Sequence, residues 1–185
     1  MYVDLHCHSY YSDGAQTPEY LVSAALERGL THLALTDHDC LCGVEHLWQA
    51  TPRDTVPAVK EGWRQLKLIA GVELSCDWNG LEIHVVGLLK ELRTPTLDAL
   101  LSEQQNYRRQ RAEAIAVKLD AVGATGARDY LAALPATALT RSHIADFLVA
   151  SGICKNKQKA FKSYLGRRGK AYVAAIWASL DQAVS

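Results

Sequence analysis

The sequence predicts an α/β fold with a mostly parallel sheet in its first half and an all-helical stretch in its second. Three observations carry that reading. Thr31-His32-Leu33-Ala34-Leu35-Thr36 is a short apolar-rich run bounded by Gly29 and Asp37, the profile of a strand buried on both faces. Ionisable residues crowd the ends of such runs, as in Asp37-His38-Asp39, and the carboxyl end of a buried strand is where an α/β protein presents its chemistry. From Thr96 onward the patterning changes to helical spacing.

In chain order, Val3-Asp4-Leu5-His6-Cys7-His8 alternates apolar and polar residues and reads as a first strand, one face on a core and the other on a site. His6 and His8 then point the same way, and Cys7 turns to the core. Ser12-Asp13-Gly14-Ala15 is turn chemistry. Thr17 as N-cap, Pro18 in the first turn and Glu19 near the positive end of the dipole open a helix that Gly29 stops. Gly43 to Ala50 reads as one or two helical turns, Thr51 to Pro57 as loop, and Val59 to Gln65 as a return to helix. Leu66 to Leu74 is a third strand with Glu73 near its end. Asp77-Trp78-Asn79-Gly80 is a turn, and Leu81 to Leu88 a fourth strand with His84 in its middle. The first half is thus β-α-β-(α)-β-β.

Thr96 to Val122 is expected as one helix with a partial apolar stripe of Leu97, Leu100, Leu101, Ile115 and Leu119, interrupted by Arg108, Arg109 and Arg111. Residues 124–140 are Ala-rich and weakly patterned, so they are assigned as loop with room for a short helix. Thr140 to Val149 opens a helix that stops at Gly152, and Lys157 to Tyr164 is another, followed by a basic loop through Lys170. Ala178 to Val184 starts a last helix with Ser179 as N-cap.

Composition excludes several function classes. Lys plus Arg and Asp plus Glu both number 20, so no global field draws duplex DNA or a membrane, and an anionic substrate must be held locally. The five cysteines include no C-x-x-C pair and suit a reducing cytosol rather than a disulfide framework. No stretch reaches the ~20 apolar residues that span a bilayer, and the start has no secretory pattern, so the expected location is cytoplasmic.

The candidate site residues are His6, His8, Asp13, His38, Glu73 and His84. Mixed imidazole and carboxylate donors suit Mn²⁺, Zn²⁺ or Fe²⁺, and six exceed what one tetrahedral ion requires, so two adjacent ions are the economical reading. Such a pair activates water and clamps the oxygens of an in-line displacement, which is phosphoester hydrolysis. His38 and Asp13 are the residues expected nearest the chemistry. Asp37 and Asp39 are expected either to cap the following helix or to orient a liganding histidine. His32 reads as a core or helix-facing residue and His46 as a surface one. Arginine forks bind phosphate bidentately, so Arg141, Arg111 or Arg108 beside the ions could hold a second phosphate that the ions do not attack.

These residues carry a resemblance. Asp4-Leu5-His6-Cys7-His8-Ser9 with Ser12-Asp13-Gly14, Leu35-Thr36-Asp37-His38-Asp39, Gly71-Val72-Glu73-Leu74-Ser75 and Glu82-Ile83-His84-Val85-Val86-Gly87 resemble the opening motifs of the PHP (polymerase and histidinol phosphatase) family of metal-dependent phosphoesterases. The resemblance implies a distorted seven-stranded β/α barrel with two or three metal ions, foremost Mn²⁺, on His6, His8, Asp13, His38, Glu73 and His84. Thr140-Arg141-Ser142-His143-Ile144-Ala145, with Tyr164-Leu165 and Lys170-Ala171-Tyr172-Val173, is similar to the helical insertion of the branch that dephosphorylates nucleoside 3′,5′-bisphosphates and trims short RNA from its 5′ end. It implies Arg141, His143 and Lys170 as substrate contacts, to which the arginine-fork chemistry adds Arg111.

On that basis residues 1–92 are expected to form the barrel portion with the metal motifs, 93–170 a helical insertion capping the substrate, and 171–185 a return to the barrel. The family continues with an Ala-His-Pro strand end and a late Asp-x-His pair, and neither occurs in this sequence, which has no histidine after His143. The barrel is therefore expected to be incomplete here. The leading expectation is a metal-dependent phosphomonoesterase using metal-activated hydroxide on nucleotide or short-oligonucleotide substrates. The alternatives are a non-catalytic module with a partial metal or nucleotide site, and a phosphatase for another small phosphate ester.

Overall fold

The computed structural model describes residues 2–49 and 66–184. Its centre is a long strand, β3 (Lys67–Trp78), buried continuously from Ala70 to Cys76. The first half of β3 pairs in parallel with β2 (His32–Leu35), which pairs in parallel with β1 (Val3–Cys7). From Gly71 onward β3 runs antiparallel to β4 (Leu81–Leu88), joined by the Asp77–Gly80 turn, where Asn79 and Gly80 both take positive φ as a tight hairpin requires. A two-residue strand, β5 (Ala178–Ser179), adds in parallel at Cys76 and Asp77. The sheet is open among the described residues, with strand order β1-β2-β3-β4 and β5 beside β3.

Helix α1 (Pro18–Glu27) starts as expected: the Thr17 side chain accepts from the Tyr20 N–H, with Pro18 in the first turn. Val22 and Ala25 of α1 pack with Leu33 and Leu35 of β2 and with Val44 and Leu47 of α2 (Cys42–Gln49) in one apolar cluster. The alternation expected of β4 holds. Ile83 and Val85 pack beside Val72, Leu74 and Cys76 on one face, leaving Glu82 and His84 on the other. In the antiparallel register His84 lies opposite Ser75, so His84, Ser75 and Glu73 share the site face.

The 27-residue helix α3 (Pro95–Ala121) links two cores. Leu101 closes the sheet cluster, whereas Ala112, Ile115 and Leu119 belong to a helical cluster with Leu131 of α4 (Ala127–Ala132) and Ile144, Phe147 and Leu148 of α5 (Arg141–Ala150). Between them Gln104, Gln105 and Arg108 are buried and polar, which explains the gap in the apolar stripe. After α6 (Lys157–Ala160) a π-helical turn covers Phe161–Leu165.

Several boundaries differ from expectation. The third strand continues four residues beyond Leu74 because β4 pairs with it up to Trp78. The 124–140 segment, by contrast, holds the short helix for which it had room, the six-residue α4. Ala178 and Ser179 form β5 before the last helix, α7 (Leu180–Val184), which Ser179 and Gln182 open with a reciprocal capping box. β1 lies at the sheet edge, so Val3 and Leu5 are 47% and 38% exposed rather than buried, and only Cys7 of that face reaches the core. The helix expected over Val59–Gln65 lies outside the described residues.

Candidate metal centre

The site is built where β1 and β2 end beside the middle of β3. Asp37, just after β2 and 1% exposed, accepts from the Ser9 N–H (2.7 Å), the Ser9 hydroxyl (2.7 Å) and the Ser12 hydroxyl (2.6 Å). One buried carboxylate thereby folds residues 9–14 over the end of β1 and delivers Asp13 beside His8. Gly14 closes this loop so tightly that an added Cβ would lie 2.1 Å from the His8 carbonyl oxygen. Gly43 is equally constrained, since its Cβ would sit 2.4 Å from the Asp37 carboxylate.

His38 follows. It bridges to Glu73 in parallel, with the Glu73 N–H donating to the Asp37 carbonyl (3.2 Å) and the Asp39 N–H to the Glu73 carbonyl (2.9 Å). Asp39 then turns with φ of 46°, a left-handed conformation that Asp tolerates better than most residues. Its side chain accepts from the Ser75 N–H (2.8 Å) and from Arg108 Nε (2.8 Å) and Nη2 (2.6 Å). Asp37 and Asp39 thus neither cap α2 nor hold a site histidine. They fix the two loops that carry the site.

The structure brings His6, His8, Asp13, His38, Glu73 and His84 together in three overlapping trios: His6, His8 and Glu73; His8, Asp13 and His38; His38, Glu73 and His84. Glu73 is the hub. Its Oε2 lies 2.9 Å from His6, 2.6 Å from His8 and 3.5 Å from His38, and its Oε1 2.8 Å from His84. Asp13 reaches His8 at 2.9 Å and His38 at 3.6 Å. Burial opposes a charge on His8, but hydrogen bonds to Asp13 and Glu73 outweigh it and push its pKa up to about 9. Burial likewise opposes ionisation of Asp13 and Glu73, yet the histidines around them hold both carboxyls well below the usual range. The hydrogen bond to Glu73 raises His84.

This donor set fits divalent cations. The His6 and His8 Nε2 atoms face each other at 3.2 Å across Glu73, and His38 Nδ1 is buried with no hydrogen-bond partner. Converging imidazoles and an orphaned buried nitrogen are what a shared ion would satisfy.

Beside the trios a cavity of about 250 Å³ opens toward the helical half, lined by Asp13, His38, Glu82, His84, Arg111, Arg141 and Trp177 among others. Glu82 takes Arg111 at 3.4 Å, Arg141 at 3.3 Å and the Trp177 indole N–H at 3.1 Å. The remaining expected contacts fall elsewhere. Lys170 is exposed and lies over the Tyr164 ring at 5.7 Å, and it does not line this cavity. His143 Nδ1 accepts from the Thr140 N–H (3.1 Å) in the α5 capping box, and the ring also meets the Ser12 backbone; burial depresses its pKa. Arg108, although it lines the cavity, is taken up by Asp39, Ser75 and the Leu139 carbonyl. His32 is half-buried beside Thr31, and His46 pairs with Glu19 and Tyr11.

The pattern of the PHP domain matches residues 4–146, a span that takes in all six clustered residues. The chain belongs to the PHP domain family. Within that family it is 40% identical over 181 residues to a 5′-3′ exoribonuclease of Haemophilus influenzae, covering 98% of this chain and 62% of that protein. It is 35% identical over 184 residues to a 3′,5′-nucleoside bisphosphate phosphatase of Chromobacterium violaceum, covering 98% and 61%. A solved, metal-free amidohydrolase structure from Chromobacterium violaceum with bound sulfate superposes with a TM-score of 0.85 at 34% identity, covering 100% of this chain and 62% of that one. The chain therefore spans about three fifths of the length of these PHP relatives. The fold is that of the first part of a PHP barrel with a helical insertion, its sheet open among the described residues. No helix among them is long and apolar enough to cross a membrane.

Glu82 and Trp177 are absent from the expected site. Glu82 was detectable in principle, because it precedes His84 by two residues on one strand and so shares its face. Trp177 carries no local signal, since it arrives from a segment without regular structure.

Proposed function

We propose that this chain carries the site of a metal-dependent phosphoesterase that hydrolyses phosphomonoesters of nucleotides, either nucleoside 3′,5′-bisphosphates or the 5′ ends of short RNA. One observation carries the reading: three donor trios sharing His8, His38 and Glu73 open directly onto a cavity walled by Arg111 and Arg141. The names of the two enzyme relatives support the substrate class.

The trios around His6, His8 and Glu73, around His8, Asp13 and His38, and around His38, Glu73 and His84 would hold two or three divalent ions, with Mn²⁺ the first choice and Zn²⁺ or Fe²⁺ next. Ions bound there supply Lewis-acid activation of water and phosphate oxygens. The chain's own groups do the rest. Glu73, held ionised, anchors the imidazoles of His6, His8 and His84 and faces that of His38. Asp13, ionised and at the cavity wall between His8 and His38, orients both rings and can accept a hydrogen bond from the attacking water. Arg111 and Arg141 hold a phosphate that is not attacked, which places the scissile one over the trios. Water oxygen then attacks phosphorus, the bond to the sugar oxygen breaks, and that oxygen leaves with the proton that the water gives up.

In this reading residues 93–170 cap the substrate, and the free thiols of Cys7, Cys40, Cys42, Cys76 and Cys154 suit the cytoplasm. Phosphate release from a nucleoside 3′,5′-bisphosphate in Mn²⁺ tests the proposal. His38→Ala and Glu73→Ala are expected to abolish turnover. A folded wild-type chain that binds two ions but releases no phosphate from bisphosphate or 5′-phosphorylated RNA would refute it.

A further inference from the structure

Among the described residues, Glu82 is the one acid on the arginine wall of the cavity. Arg108 is already neutralised by Asp39, so the charges left on this wall are Arg111, Arg141 and Glu82. The carboxylate is strung between the two guanidiniums, Oε1 to Arg111 at 3.4 Å and Oε2 to Arg141 at 3.3 Å, rather than forked onto either. Both distances exceed the ~2.8 Å of a well-formed charge-assisted bond. Trp177 fixes the carboxylate from the side, its indole N–H donating to Oε1 at 3.1 Å while its ring lies 5.5 Å from the Arg111 guanidinium. Arg111 Nη2 is buried with no hydrogen-bond partner, so the pair retains donor capacity that Glu82 does not use.

Coulomb energy scales with the product of the charges. A fixed negative charge on the wall therefore costs a doubly charged guest twice what it costs a singly charged one at the same place. The two arginines attract both guests, and Glu82 decides how far the extra charge is favoured.

We propose that Glu82 is a specificity-determining residue: a built-in counter-charge that keeps Arg111 and Arg141 on the cavity and narrows their preference for a doubly charged phosphomonoester over a singly charged phosphodiester. This rests on the reading that the arginine wall holds the phosphate that is not attacked. It adds the selectivity of that contact: Glu82 narrows the advantage that the second terminal phosphate of a bisphosphate holds over the next internucleotide linkage of an oligonucleotide, so that both are admitted. Without Glu82 the wall carries two uncompensated positive charges, and the preference for the bisphosphate grows.

Isothermal titration in EDTA tests this with no turnover, using inorganic phosphate and dimethyl phosphate at about pH 8, where inorganic phosphate is chiefly doubly charged. Glu82→Gln is expected to tighten phosphate binding at least about threefold and dimethyl phosphate by only about the square root of that factor. Glu82→Asp, which keeps the charge, gives no gain, and the gain vanishes in Glu82→Gln/Arg141→Gln. Equal gains for the two anions, no gain, weaker binding of both, a gain that survives Arg141→Gln, or no measurable binding by either protein would each overturn the proposal. Loss of Mn²⁺-dependent turnover by the wild-type chain would instead count against the phosphoesterase reading, so the two failures are read separately.

Discussion

Asp39 and Arg108, 69 residues apart in sequence, form an ion pair in which the carboxylate is fully buried and the guanidinium 5% exposed. The pair fastens the loop after β2, with its left-handed Asp39, to the middle of α3, and Gln104 and Ser75 complete its hydrogen bonds. Removing one partner strands a buried charge, which costs about 3–5 kcal/mol, whereas removing both costs much less than the sum. Urea denaturation of Asp39→Asn, Arg108→Met and the double variant is expected to show that non-additivity. Additive losses would mean that the two side chains stabilise the fold separately.

Gly14 sets the position of Asp13. An Ala there drives its Cβ into the His8 carbonyl and the loop must open, at a cost of about 1–3 kcal/mol or more. Gly14→Ala is therefore expected to lower both the melting temperature and Mn²⁺ affinity. At Gly29 an added Cβ meets nothing within 4 Å, and only its φ of +70° is unfavourable. Gly29→Ala should lose about 1 kcal/mol with unchanged ion affinity. Calorimetric Mn²⁺ titration of the two variants separates loop geometry from general destabilisation.

The metal-free chain should have a distinctive pH profile. Burial opposes the His8 charge, but its carboxylate partners raise its pKa in the folded state to about 9 from the ordinary 6.5. The stability contributed by charged His8 is then fully present below pH 6.5 and is lost as pH rises through about 9. Asp13 and Glu73 are depressed, so their contribution is present above the ordinary carboxylate range and is lost on acidification. Urea midpoints in EDTA should fall between pH 6.5 and about 9. Stabilisation by Mn²⁺ should grow over the same interval, because the ion competes with the His8 proton. A midpoint that is flat in EDTA over this range would show that His8 is not charged in the fold.

Much of this organisation is legible in the sequence because it is local. The period-2 alternation of β4 separates Ile83 and Val85 from His84, and the Thr17-Pro18-Glu19 start of α1 is a capping signal that the structure realises. His8 and His38 stand out because they follow the ends of β1 and β2, and Glu73 and His84 because they are ionisable residues within apolar strands. What stays hidden depends on partners distant in the chain. Asp39 looks like a helix cap until Arg108 is placed beside it. The break in the α3 stripe at Gln104, Gln105 and Arg108 looks like a solvated charge run until the helix is seen crossing the end of β3. The edge position of β1, which exposes Val3 and Leu5, follows from strand order, which alternation alone does not encode.

His143 offers the sharpest contrast between a contact with substrate and a contact with the loop that positions the site. Its Nδ1 closes the α5 capping box with Thr140, and its ring meets the Ser12 backbone, one residue before Asp13. A side chain so placed holds the 9–14 loop against α5 and is not spare for phosphate. Loss of the cap should cost about 1 kcal/mol, and freeing the loop should weaken Mn²⁺ binding through Asp13 while leaving KM for a nucleotide substrate at saturating Mn²⁺ close to wild type. His143→Gln, which can still reach the Thr140 N–H, should recover the stability in part. A raised KM with unchanged Mn²⁺ affinity in His143→Ala would instead make His143 a substrate contact, and the loop-holding assignment would fall.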